Sequence, residues 1–205
     1  MKQPLYQPEN YTETWSLDFM SDVIVNKRKF RTLNVIDDFN REAIAIEAAH
    51  SMPALLVTQL LDRIMREKGK PKRIRTDNGP EFISREFRKW CGRTALRFNI
   101  QPGRPMQNSY IERFNRTFRD NILDAYLFED ITQVQILAEE WMQDYNHNRP
   151  HDALNGKTPA ECRARPGGMS SLSQLEKSWI YNNRDTIFEI SSQDRLEFRE
   201  RCTLA

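Results

Sequence analysis

The sequence predicts an α/β domain on a five-stranded mixed sheet flanked by helices, and three observations lead there. Strand-like runs open the chain, joined by connections too short to hold a helix. Helical and strand periodicities then alternate. Turn and breaker residues such as Pro53, Gly69, Asn78, Gly79 and Pro80 fall between the segments.

Residues 1–14 are polar, carry Pro4 and Pro8, and read as an extended lead-in. WSLDFMSDVIV (15–25) reads as a strand with Ser16, Asp18 and Met20 on one side and Trp15, Leu17 and Phe19 on the other. NKRK (26–29) forms a hairpin turn, and FRTLNVIDDF (30–39) and REAIAIEAA (41–49) follow as two more strands around Asn40. Pro53 begins a helix with Leu56, Leu60, Leu61 and Ile64 at helical spacing, and Gly69 ends it. KRIRTD (72–77) is a short strand with Asp77 at its tip. A helix over about 81–93 buries Phe82, Phe87 and Trp90, and LRFNI (96–100) is the fifth strand. QPGRPMQ is a loop, and helices over about 108–126 and 132–147 complete the pattern. The expected organisation is a lead-in (1–14), one core domain (15–165), and a tail (166–205) whose structure the weak periodicity leaves unassigned.

Composition bounds the function. Hydrophobic residues at 39% and charged residues at 29% suit a globular chain, and no apolar run has the length of a membrane span. The start, MKQPLYQPENY, lacks the apolar stretch of a secretory signal. Cys91, Cys162 and Cys202 are widely spaced and odd in number, so neither a disulfide framework nor a zinc knuckle is indicated, and a reducing cytoplasm is expected. The net charge of +2 predicts no nucleic-acid partner by itself. Its distribution says more: residues 63–75 carry seven Lys and Arg against Glu67 alone, and Arg113, Arg116 and Arg119 form a second group. Such stripes track phosphates, although a solvated surface would look the same.

Three carboxylates stand apart. Asp18 lies mid-strand, where aspartate is disfavoured; Asp77 lies in DNGPEF, at a strand tip; Glu112 lies in PGRPMQNSYIERFNRTFR. On that helix Asn108, Glu112, Asn115 and Arg119 follow steps of four, three and four and share a stripe, with Arg116 beside it. Ile111, Phe114, Phe118 and Ile122 form the neighbouring apolar stripe that seats the helix. Each acid alone has a bland reading: an edge-protecting charge, a turn cap, or a solvated helix face. Together they can meet at one end of a sheet, where hard oxygen ligands suit Mg²⁺ and phosphoryl transfer.

WSLDF, VIDDFNRE, IRTDNGPEF, PGRPMQNSYIERFNRTFR and WMQDYNHNRPHDALNGKTPAE, taken in order, resemble the catalytic core of bacterial insertion-sequence transposases related to retroviral integrases, over about residues 10–165. The resemblance implies a ribonuclease-H-like fold and an Asp–Asp–Glu site on Asp18, Asp77 and Glu112, binding two Mg²⁺ or Mn²⁺ ions. Thirty-four residues intervene between Asp77 and Glu112, an interval the family tolerates. It further implies DNA cleavage and strand transfer without ATP or a covalent protein–DNA intermediate. Candidate DNA contacts are Asn78, Arg104, Asn108, Asn115, Arg116 and Arg119. Implied partners are DNA, as element ends and target, and further copies of the chain on that DNA; no membrane is implied, and the bacterial cytoplasm and nucleoid are the implied location.

Full-length relatives carry a helix-turn-helix region before this core, so the chain is expected to be a core without that module. Two rival readings stay open: a non-catalytic remnant that binds DNA or a full-length transposase, and a nuclease that cuts RNA–DNA hybrids. His147 and His151 are four apart, but Pro150 interrupts any helix between them, which argues against zinc. Asp37 and Asp38 read as surface or turn charges, and Trp15, Trp90 and Trp141 as core anchors.

Overall fold

A computed structural model of the chain describes residues 7–100 and 109–163. The opening meander comprises β1 (Thr14–Val23), β2 (Lys29–Asp37) and β3 (Ala43–Ala49). Then come α1 (Ala54–Lys68), β4 (Arg73–Thr76), α2 (Pro80–Ile83), α3 (Arg85–Thr94) and β5 (Arg97–Ile100). The helices α4 (Ser109–Phe118), α5 (Ile131–Asn148) and α6 (Pro159–Arg163) follow, with a π-type segment (Arg119–Leu123) extending α4. The expected helix over 81–93 divides at Ser84, whose backbone is extended (ψ 152°) and whose hydroxyl accepts from the Phe87 N–H to cap α3.

The sheet order is β3-β2-β1-β4-β5, with β1–β2 and β2–β3 antiparallel and β1–β4 and β4–β5 parallel. Period-2 alternation sorts its side chains between two cores. On one face Trp15, Leu17, Leu33 and Val35 pack with Val57, Leu61 and Ile64 of α1 and with Phe82, Phe87 and Trp90. On the other, Met20, Ile36 and Ile46 pack with Ile111, Phe114 and Phe118 of α4 and with Leu137, Trp141 and Tyr145 of α5. The expected stripe of α4 is therefore core, as are the three tryptophans; on α1 Leu61 and Ile64 are core with Val57, while Leu56 and Leu60 are only partly buried at its margin.

β3 is an edge strand, which leaves backbone groups to be covered. Two amides on α5 cover them. Asn146 accepts from the Ala43 N–H at 2.8 Å and donates to the Ala43 carbonyl at 2.9 Å; Gln135 accepts from the Ala48 N–H and donates to the Ile46 carbonyl. Among the described residues, no helix is long and apolar enough to cross a membrane.

Candidate metal centre and nucleic-acid interface

β1 lies centrally in the sheet, and its alternation turns Asp18 to the face that carries α4. β4 runs parallel beside it, with Thr14–Ser16 paired to Arg73–Arg75, so Asp77 follows the end of β4 close to Asp18. Asp77 is exposed, and its Oδ1 accepts from the Gly79 N–H at 2.9 Å, which shapes the DNG turn. Glu112 is exposed in the first turn of α4 and makes no hydrogen bond or ion pair among the described residues.

Asp18 is held at both oxygens. The Phe19 N–H donates to Oδ1 and the Asn115 amide donates to Oδ2, each at 2.8 Å. The Asn115 carbonyl in turn accepts from Asn34 Nδ2 at 2.7 Å, and Asn34 is the β2 residue directly opposite Asp18. A chain of amides thus ties the carboxylate to the neighbouring strand and to α4. Burial pushes the Asp18 carboxyl up to about 6; the Phe19 N–H opposes this, Asp77 and Glu112 raise it further, and Asn115 opposes. Asp77 and Glu112 are thus each close enough to repel Asp18.

Their donors are all carboxylate oxygens, the chemistry that Mg²⁺ or Mn²⁺ takes. Among the described residues no three His, Cys, Asp or Glu side chains form a closed ligand cluster. The donor set fits a divalent ion, with closure left to the exposed Asp77 and Glu112 side chains; Asp18 is already fixed.

Of the other candidates, Asn78 and Arg116 are exposed beside the acids in sequence, without a hydrogen bond or ion pair among the described residues. Asn115 is 7% exposed, and both ends of its amide are used within the protein. Arg119 donates to the Ser21 carbonyl at 3.1 Å and lies 3.7 Å from Asp22 and 3.5 Å from Asp124. Arg104 and Asn108, like the tail with Trp179, lie outside the described residues.

Two expectations are corrected. Asp37 and Asp38 are not surface charges: they are 0% and 1% exposed. Asp37 accepts from the Thr12 and Phe39 N–H groups, and Asp38 pairs with Arg75 at 2.7 Å. Arg75 therefore leaves the basic stripe for the interior, because β4 is central and its alternate residues point inward. Sequence reading also missed Asn34. Its signal was a polar residue in the middle of the apolar run TLNVI.

Comparison with known proteins agrees with this architecture. Two models, each described as an integrase core domain, match residues 9–105 and 96–159. The uncharacterized 31.7 kDa protein of insertion element IS407 from Burkholderia multivorans is 41% identical over 165 residues, covering 80% of this chain and 60% of that protein. The uncharacterized 39.2 kDa protein of insertion element IS476 from Xanthomonas euvesicatoria is 38% identical over 164 residues, covering 80% of this chain and 47% of that protein. The chain thus spans about half the length of these relatives. Among solved structures, the trimeric form of the HTLV-2 integrase catalytic core domain in complex with magnesium superposes with a TM-score of 0.56 at 18% identity, covering 76% of this chain and 99% of that one. At that identity the likeness is one of fold, and the fold is ribonuclease-H-like. With the core-domain matches running through the strands and helices that hold Asp18, Asp77 and Glu112, the chain belongs to the integrase-core family found in bacterial insertion elements.

Proposed function

We propose that this chain is the catalytic core of an insertion-element transposase, which cuts DNA strands and joins them to a target with Asp18, Asp77 and Glu112 as its divalent-metal ligands. The observation that carries the reading is the setting of Asp18: a half-buried acid, held at both oxygens by the Phe19 N–H and the Asn115 amide, with Asp77 and Glu112 near enough to repel it. An uncompensated arrangement of this kind costs stability and is relieved by a cation.

Bound there, a divalent ion would supply charge neutralisation at the scissile phosphate and a nucleophile of lowered pKa. The chain's own residues do the rest. Asn115 and Phe19 fix the Asp18 carboxylate; the DNG turn aims Asp77 from the strand end; α4 presents Glu112 from its first turn. Arg116, one turn further along, stands ready for a phosphate of the DNA end. Asn115 and Arg119 serve the site by holding Asp18 and the end of β1, rather than by reaching DNA. The core domain is proposed to span residues 15–165, with DNA and further copies of the chain as partners.

The test is cleavage and strand transfer on a duplex carrying the terminal repeats of the source element, with Mg²⁺ or Mn²⁺. Asp77→Asn is expected to lower both by at least about 10³-fold while the melting temperature stays within about 2 °C. Retained strand transfer in Asp77→Asn would overturn the assignment.

A further inference from the structure

A cavity of about 280 Å³ opens on the flank of α4, one step round the helix from Glu112. Arg41, Arg113, Arg149 and His151 line it between the rings of Tyr110 and Tyr145. The lining contains one acid, Asp152, which is exposed.

The cations reach this place by separate routes. Arg41 sits in the β2–β3 connection with a left-handed backbone (φ 63°), and its guanidinium lies 3.4 Å above the Tyr110 ring. Its Nη1 is buried and has no hydrogen-bond partner among the described residues. Arg113 is exposed and makes no ion pair among the described residues. Arg149, from the NRPH turn after α5, pairs with Asp144 at 3.1 Å and also bonds to Asn121. His151 packs edge-on against Tyr145, and its Nε2 is likewise buried with no partner among the described residues. Burial pushes the imidazole below its ordinary range, and Arg113, Arg41 and Arg149 each push it further down, so the three guanidinium groups act on one point.

A guanidinium stacked on a ring with an unpaired N–H, set in one concave surface with two further guanidinium groups and an imidazole, matches an anion with several acceptor oxygens. We propose that this pocket is a phosphate subsite, which takes a backbone phosphodiester of the DNA strand leading to the carboxylates. This rests on the function proposed above. Arg113 directly follows Glu112 on α4, about 100° round the helix, and Tyr110, Phe114 and Thr117 continue the turn. The pocket and the acids thus lie on opposite flanks of one helix, and a strand crossing its exposed ridge at Arg113 and Arg116 meets both. The residues outside the acid site that do this are Arg41 and the NRPH segment, to which the carboxylate geometry assigns no role.

The experiment uses the full chain, a duplex oligonucleotide, and dissociation constants measured over a range of salt concentrations without divalent metal. Arg113→Gln, fully on the surface, and Arg41→Gln are each expected to weaken binding roughly tenfold near physiological salt and to lower the salt slope by about one. Tyr110→Leu, which leaves the charge unchanged but removes the ring beneath Arg41, should weaken binding in the same direction. Lys89→Gln, on α3 against the opposite face, should leave the slope as in the wild type. Slopes unchanged in Arg113→Gln and Arg41→Gln, or lowered as much by Lys89→Gln, overturn the subsite; wild-type strand transfer in the same preparations would show that the proposed function stands without it. Wild-type protein that binds no DNA overturns both.

Discussion

The two faces of the sheet are made by the same strands and built for different ends. The face under α1, α2 and α3 is apolar at its centre, with Trp15, Leu17, Leu33, Ile74, Phe82 and Phe87 each 0% exposed, and its buried acid, Asp37, sits at the end of β2 opposite Trp15. The face under α4 and α5 has an apolar floor of similar extent, but Ser16, Thr32 and Asn34 are fully buried within it and Asp18 lies at its margin. Along β1 and β2 one side carries Trp15, Leu17, Leu33 and Val35, while the other interleaves Met20 and Ile36 with the hydrogen-bonding side chains of Ser16, Thr32 and Asn34. The difference teaches where each cost is placed. A carboxylate that must meet a cation in dry surroundings disfavours folding, so it is confined to one face, while the other is left to hold the domain together.

Breaking the apolar face should have the largest effect. Phe87 packs against Phe82, Trp90 and Phe98 with ring centroids 5.3, 5.4 and 5.1 Å away. Phe87→Ala is expected to cost about 3–5 kcal/mol, read by urea unfolding, because the cavity is enclosed and cannot collapse. A loss below about 1 kcal/mol would mean this face is not the structural one.

On the polar face the expected effects are smaller and more specific. Asn115→Leu removes the donor to Asp18 and the acceptor for Asn34, leaving a buried amide and a carboxylate short of partners. It should cost about 1–3 kcal/mol, and divalent-metal binding measured by calorimetry should weaken with it. If only stability changes, Asn115 supports the fold and not the site.

The smallest change is a trend with pH. Asp18→Asn removes the desolvated charge and its repulsion by Asp77 and Glu112. The sign follows from linkage: a carboxyl raised from 3.8 to about 6 takes up a proton on folding between those values. Its contribution to wild-type stability therefore falls as pH rises through that window and is flat above it. Asp37, also raised by burial to about 6, contributes a slope of the same sign to both proteins, so the difference between them isolates Asp18. Without metal, Asp18→Asn loses at every pH one of the two hydrogen bonds that the carboxylate accepts. The linkage therefore appears as the trend: the variant's stability relative to wild type should rise by about 1–2 kcal/mol from pH 4 to pH 7. A stability difference that stays level between pH 4 and pH 7 would contradict the account of Asp18 as a desolvated, repelled charge.

Much of this was legible in the chain because it depends on period. Alternation alone assigned Asp18 and Trp15 to opposite faces, and the spacing of Ile111, Phe114, Phe118 and Ile122 identified the seated side of α4. What stayed hidden depends on partners distant in sequence. Asp37 and Asp38 looked like turn charges because nothing nearby announces Arg75, 37 positions after Asp38, or the Thr12 amide. Gln135 and Asn146 carry no local signal on α5, yet they complete the hydrogen bonding of an edge strand.

By itself, then, the sequence determined the elements, their buried sides, and the three acids set among them, because each of these is written in local spacing and residue type. Tertiary structure decided which polar groups are spent inward and which remain for a ligand. Asn115 and Arg119 share a helix stripe with Glu112, and only the packing of α4 on β1 turns the first two toward the protein and leaves Glu112 free. Likewise Arg41 and His151, 110 positions apart, become one cationic pocket only where the β2–β3 connection meets the turn after α5. Hydrogen bonding and charge act through space over a few ångströms, and only the fold sets those distances.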